Sequence, residues 1–282
     1  MEKRDLSKKR KKRRLVWHNA SISVALLARF EKENSETIVL KRPGNQMKVG
    51  DQCILGIDGS GFAISVGVLE NRVPKGMIYL NDGSPGSEVL LATIDQLLTT
   101  LKMEQSDLDG ICVTLGPGSF TSLRISLAVA ESIGLGLNLP VYGVDTLQII
   151  AGSLPFYPGQ IKVIQNAYKG EFYTATYKTD NGKPVLQDSL QLIKPDAFYD
   201  GLIAGDMILG TGLATMFKKG FDLAAKNVNW NQDFHRNVSG ISVIEHFLEH
   251  EVQEPSVKPL EPIYIRLSEA EINYEKQFGI KK

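Results

Sequence analysis

Residues 53–58 (CILGID) and 62–70 (FAISVGVLE) are two apolar, β-branched runs separated by a Gly/Ser turn. That pattern predicts a strand, a tight turn and an antiparallel return strand. A third strand is expected near Gly76–Leu80, after which Asn81–Pro85 breaks the pattern and Ser84-Pro85 offers a helix start, with Ser as cap and Pro in the first turn. Leu90, Leu91, Ile94, Leu97, Leu98 and Leu101 then recur at helical spacing and give one broad apolar face. Asp109–Leu115 (DGICVTL) is a nearly continuous apolar run, as a strand covered on both faces requires. Gly116–Thr121 (GPGSFT) fits no regular element, and Ser122–Asn138 follows as a helix whose Ala128, Ala130, Gly134 and Gly136 allow close approach by a neighbour. Pro140–Val144 reads as a strand and Thr146–Ala151 as the start of a helix. The order β, β, β, α, β, α, β, α argues for an α/β fold, a mixed sheet packed with helices.

Pro155, Pro158 and Gly159 punctuate the chain, and a second unit opens with a strand at Ile161–Gln165. A hairpin-like run at Phe172–Lys178, the turn Asp180-Asn181-Gly182 and a strand over Val185–Ile193 come next. Met207–Leu209 running into Gly210-Thr211-Gly212 reads as a strand entering a helix, Ile241–His250 as a helix, and Ser268–Phe278 as a last helix after a proline-punctuated stretch. The expected division is an extension over 1–51, a first lobe over 52–157 and a second over 158–282, with the last helix packing back on the first lobe.

With 282 residues, 43% of them hydrophobic, the chain can bury a core without covalent staples. Its two cysteines, Cys53 and Cys112, lie in apolar strands, so neither a disulfide framework nor a cysteine metal site is expected, and a reducing compartment fits. The formal charge of zero hides an asymmetry: residues 1–14 hold nine of the 32 basic residues and two of the 32 acidic ones. The remainder carries 23 basic and 30 acidic residues, net −7. A like-charge block of this kind repels itself and is expected to be solvated and disordered, or to touch RNA phosphates. Leu15–Phe30 superficially resembles a signal peptide, but His18, Asn19, Ser21, Ser23 and Arg29 interrupt it. No other window reads as a bilayer span, so a cytoplasmic protein with no membrane partner is expected.

Candidate chemistry centres on GPGSFTSLR at Gly116–Arg124. Backbone amides at a helix N-terminus can hold a phosphate, and a tight strand-to-helix turn capped by Ser119 or Thr121 is the plain alternative. Asp58 and Ser60 at the first hairpin are either nucleotide contacts or turn formers. Ser60, Ser87 and Ser119 have no histidine at a recognisable spacing, and no Gly-x-Ser-x-Gly elbow is present. His246 and His250 share a helical face, where Glu245, Glu249 and Glu251 suggest a solvated polar surface in place of a metal pair.

Six segments in order resemble the TsaB (YeaZ-like) family of tRNA threonylcarbamoyladenosine biosynthesis proteins, the glycoprotease-like relatives of TsaD: IDGS at 57–60, GSE at 86–88, GPGSFTSLR at 116–124, GVDTL at 143–147, NAYKGEFY at 166–173 and PIYIR at 262–266. The resemblance implies a two-lobed actin-like/Hsp70/sugar-kinase (RNase-H-like) fold. It further implies a scaffold role beside a TsaD-like transferase, with a TsaE-like ATPase and, indirectly, tRNA in the same system, and a homodimer when alone. It places nucleotide contacts, ATP or ADP at a subunit junction, at Asp58, Ser60, Gly116, Gly118 and Ser119; Gly205-Asp206 and Gly210-Thr211-Gly212 fall where active relatives have an adenosine-contacting loop, and a plain strand-to-helix turn is the favoured alternative there. The partner surface falls on the helices over Glu88–Leu101 and Thr121–Leu137, with Glu88, Leu90, Leu91, Ile94, Leu98 and Arg124 as candidates; core packing is the alternative for each leucine.

Departures from the family pattern point away from catalysis. Asn166 stands where a second acid is usual, so a hard cation loses a charged ligand, and Tyr168 replaces an arginine that would grip phosphate. The TsaD metal pair falls at Thr146 and Ile150, which cannot replace two imidazoles. Gly86 and Ser122 stand in for His and Gly. The expectation is therefore a non-catalytic subunit that needs neither cofactor nor metal; an independent ATP-dependent kinase or a metallopeptidase-like enzyme of the same fold group is the alternative.

Overall fold

The computed structural model describes residues 52–81, 86–231, 238–249 and 259–265. β1 (Cys53–Asp58) is buried throughout and pairs antiparallel with β2 (Ile64–Glu70), which pairs antiparallel with β3 (Val73–Leu80). β3 begins three residues earlier than the hydrophobic pattern suggests. Asn71 and Arg72 both take positive φ, a two-residue turn matched to strand twist, and the chain re-enters the ladder at once. β3 is an exposed edge carrying Pro74 and a Lys75–Glu70 ion pair, with a register shift at Val68/Leu69 opposite.

α1 (Gly86–Leu101) leads to β4 (Gly110–Gly116), and α2 (Phe120–Leu137) leads to β5 (Val141–Asp145); both strands run parallel to β1. The sheet order β3-β2-β1-β4-β5 is that of an RNase-H-like lobe. Alternation along β1 sets the two faces. Cys53, Leu55 and Ile57 meet Leu90, Ile94, Leu97 and Leu98 of α1 and Leu127 and Ala130 of α2, while Ile54 faces the opposite side. Among the described helices α2 alone is long and apolar enough for a bilayer, 18 residues at a mean hydropathy of 1.3, a window the sequence reading passed over. Its Leu123, Leu127 and Ala130 are core side chains of this lobe.

α3 (Thr146–Gly152) leads into a second mixed sheet, formed by β6 (Ile161–Asn166), β7 (Phe172–Asp180), β8 (Lys183–Leu186), β10 (Met207–Leu209) and β11 (Asn229–Trp230), in the order β11-β10-β6-β7-β8. β9 (Gln191–Ile193) also pairs with β7, so the single strand expected over 185–193 is two strands interrupted at the turn-forming Asp188-Ser189. α4 (Pro195–Asp200) and β11 were not anticipated; α4 carries Pro at its first turn, a signal present in the sequence. Phe198 of α4 and Leu213 and Met216 of α5 (Gly212–Lys218) pack with Ile164, Phe172 and Ile208 on one face. Leu147, Ile150 and Ala151 of α3 cover Ile161, Val163, Ala175 and Tyr177 on the other.

α6 (Gly240–Glu249) follows the second sheet in sequence and packs on the first. Val243, Ile244 and Phe247 cover Ile54, Cys112 and Tyr142, and the Phe247 and Tyr142 rings lie 4.3 Å apart. The helix seats itself backbone to backbone: a Cβ on Gly56 would strike the Gly240 carbonyl, and a Cβ on Gly240 would strike the Gly67 amide. Gly240 N donates to Ser65 Oγ at 3.1 Å, tying the same point by a hydrogen bond. His246 is buried, beside Gly152 and 3.5 Å from Gln148 Oε1, so this side of α6 is not the solvated polar face expected from its neighbouring glutamates. His250 and the last helix expected at Ser268–Phe278 lie outside the described residues.

Overpacking at such a contact typically costs about 1–3 kcal/mol. Gly240→Ala is therefore expected to lower the unfolding free energy by about that much in urea titration, while Gly136→Ala, which has open space above it, is expected to stay close to wild type.

Candidate functional site

Three loops converge where β1 and β4 end. Asp58 is buried, and its Oδ1 accepts from Ser60 N at 3.0 Å and from Thr114 Oγ1 at 3.1 Å. Gly59 N in turn donates to Thr114 Oγ1 at 3.2 Å, and Ser119 N donates to Ser60 O at 2.8 Å. The Gly116–Ser119 loop thus closes onto the first hairpin, and Gly118 comes so near Ser60 that a Cβ would collide with the Ser60 carbonyl. Burial pushes the Asp58 carboxyl up, against the hydrogen bonds from Ser60 and Thr114, which hold it down. Thr114 was not picked out in the sequence, although a threonine inside DGICVTL is the one polar side chain available to meet a buried acid.

Ser119 occupies the N-cap position of α2 without bonding the helix amides; its hydroxyl lies 3.0 Å from Ser122 Oγ. Thr121, the other capping candidate, lies within the helix. Neither residue therefore caps as expected. Ser122, where the family pattern has glycine, is accommodated as this hydroxyl partner.

The second lobe has a corresponding knot. Asn166 N donates to Thr211 Oγ1 at 3.0 Å, Asn166 Nδ2 to Thr211 O at 3.0 Å, and Asn166 Oδ1 accepts from Thr215 Oγ1 at 2.8 Å. Both ends of the amide are spent within the protein. Gly210-Thr211-Gly212 is the strand-to-helix turn of β10 and α5, while buried Asp206 accepts from Ile203 N at 3.0 Å and lies 3.6 Å from Lys162 Nζ. Thr146 and Ile150 are fully buried at α3, behind Asp145, which caps that helix by accepting from Leu147 N and Gln148 N. Among the described residues no cluster of three His, Cys, Asp or Glu side chains could hold a metal. Burial, together with Glu70 and Asp109, pushes the Cys53 thiol up to about 12, so it is no thiolate nucleophile.

The helix face divides the remaining candidates. Leu90, Ile94 and Leu98 are core side chains, 1–3% exposed, and are corrected from surface contacts to packing. Leu91 is 60% exposed, with Glu88 beside it at the start of α1 and Arg124 exposed on α2. Arg124 Nε donates to Tyr264 Oη at 2.7 Å, which brings the PIYI segment against the helix.

The sequence profile described as TsaD: tRNA N6-adenosine threonylcarbamoyltransferase matches residues 86–193. The Bacillus subtilis tRNA threonylcarbamoyladenosine biosynthesis protein TsaB is 29% identical over 241 residues, 78% of this chain and 97% of that protein. YeaZ from Pseudomonas aeruginosa superposes with a TM-score of 0.61 over 76% of this chain and all of its own, at 20% identity. The chain is similar in sequence to TsaB proteins and shares the fold of YeaZ. The Escherichia coli TsaB is 31% identical over 129 residues, so that match spans 44% of this chain and 56% of the relative.

Because burial raises the Asp58 pKa, the folded state holds its proton to higher pH than the unfolded chain, and stability falls as pH rises from the ordinary 3.8 through the raised value. Asp58→Asn keeps an oxygen to accept from Ser60 and Thr114. The variant is expected to be more stable than wild type at neutral pH and to converge with it below pH 3.8, as read by thermal melts across that range.

Proposed function

We propose that the chain is a non-catalytic subunit that binds and supports a TsaD-like transferase in forming N6-threonylcarbamoyladenosine on tRNA. The observation that carries this reading is the closed state of both candidate ligand knots: Asp58 is spent on Ser60 and Thr114, and Asn166 on Thr211 and Thr215. At Asp58 a cation or a phosphate would have to displace the bonds of a buried carboxyl, whereas at Asn166, which is exposed, it would compete with solvent-accessible hydrogen bonds inside the protein. The names of the B. subtilis and E. coli relatives support the pathway, and the family profile supports kinship with the transferase itself.

In this reading the outer face of α1 and α2 is the contact surface, with Leu91 at its centre and Glu88 and Arg124 at its edge. A TsaE-like ATPase joins the same system, tRNA is engaged through the partner, and ATP or ADP sits at the subunit junction if nucleotide enters at all. The chain acts in the cytoplasm and pairs with itself through the same helices when the partner is absent.

Depletion of the protein should deplete the modified nucleoside in mass spectrometry of total tRNA; unchanged levels would sink the proposal. Leu91→Asp is expected to weaken the purified complex at least about tenfold, some 1.4 kcal/mol, with an unaltered melting curve. Leu98→Ala is expected instead to cost about 2–5 kcal/mol of stability as a core truncation. Stoichiometric magnesium-ATP binding and turnover by the isolated chain would return the assignment to an enzyme.

A further inference from the structure

Arg124 is the one cation carried by α1 or α2. Its guanidinium carbon lies 4.1 Å from the centre of the Phe120 ring and 5.6 Å from that of Tyr264, and the two rings stand 5.1 Å apart, tilted by 32°. Tyr264 is held in place by its own segment. Leu260 N donates to Glu131 Oε1 at 2.7 Å and Ile263 N to Leu115 O at 2.8 Å, so residues 259–265 lie along α2 and the end of β4. A long side chain is thereby ordered before anything binds it, and little rotamer freedom remains to be lost on association.

The bracing uses only part of the group. Nε is bonded to Tyr264 Oη, while Arg124 is exposed and no carboxylate among the described residues pairs with it. Acids do occur in the same helical layer: Glu88 and Asp95 are exposed on α1, and Glu131 is engaged by the Leu260 amide. A flat, pre-ordered guanidinium with its remaining edge open matches a planar carboxylate by two parallel hydrogen bonds. The Ser119 amide in the adjoining loop is already bonded to Ser60 O and adds no donor for a phosphate there; competition by phosphate, tested below, separates the two anions.

We propose that Arg124, braced by Phe120 and Tyr264, is the polar anchor of the docking face and receives an aspartate or glutamate side chain of the partner subunit. This rests on the docking role proposed above and adds the segment 259–265 to that face as the part that positions the anchor. Tyr264 is a positioning residue here, acting through Arg124. Ordered Arg and Tyr side chains are also the types that dominate binding energy at protein interfaces.

The test uses the full-length chain and the full-length TsaD-like subunit, with affinity measured at roughly 50 and 300 mM salt, where screening of an exposed ion pair differs most. Arg124→Ala should weaken binding about 30-fold and flatten its salt dependence. Arg124→Lys should keep the salt dependence and recover only part of the affinity, since an ammonium lacks the fork. Tyr264→Phe, which keeps the ring and removes the acceptor of Nε, should weaken binding several-fold, mainly through faster dissociation. Melting curves of all three should match wild type. Binding of Arg124→Ala within about twofold of wild type, with an unchanged salt slope, overturns the anchor while leaving the docking role standing. If wild type forms no complex, the docking role and the anchor both fall. If ADP or inorganic phosphate competes with the partner in wild type but not in Arg124→Ala, the ligand is a phosphate and the carboxylate assignment is wrong.

Discussion

The architecture depends on a contact between backbones with no side chain between them, where Gly240 of α6 rests on Gly56 and Gly67 at the centre of the first sheet. That close approach lets a helix distant in sequence bring Val243, Ile244 and Phe247 over Ile54, Cys112 and Tyr142. The first sheet is buried on one face by helices adjacent in sequence and on the other by a helix about 100 residues further on. The first lobe can therefore not be understood as a contiguous stretch of sequence. α3 adds to the interdependence, since Ile149 packs toward α6 while Leu147, Ile150 and Ala151 pack toward the second sheet.

The local patterns that sequence reveals best are those whose cause is local. CILGID, DGICVTL and the leucine spacing of α1 locate β1, β4 and the helix because burial on a fixed period leaves a direct trace in the chain. The same leucines show the limit of that trace. Periodicity marks an apolar stripe without saying which of its members is innermost, so from sequence Leu90, Leu91, Ile94 and Leu98 fit a partner surface and a core equally; Leu90, Ile94 and Leu98 fill the core, while Leu91, one position from Leu90, faces outward. Burial of His246 was hidden in the opposite way, by glutamates on either side that belong to a different face of the helix.

At the candidate site the glycine-rich loop and Asp58 were visible as motifs, whereas the partners that determine their chemistry were not. Thr114 is 56 residues from Asp58, and Tyr264 is 140 residues from Arg124. Such pairs arise from topology, the parallel register of β1 on β4 in the first case and the return of the C-terminal segment in the second. The substitutions at Asn166, Thr146 and Ile150 were legible because they concern what a side chain can donate, which does not depend on where it lies. Their surroundings then add what composition cannot: at Asn166 both ends of the amide are engaged, and Thr146 and Ile150 are buried side chains of α3 itself.

The outer edge of the first sheet bears on how the molecule meets other molecules. Pro74 withholds an amide from any strand that might extend β3, Lys75 and Glu70 keep a charged pair at that margin, and the irregularity at Val68/Leu69 spoils a flat template. Continuation of the sheet into a neighbouring polypeptide is thereby disfavoured at this border, which leaves the helical layer as the surface through which this lobe can associate without risking the uncontrolled stacking that open β-edges invite.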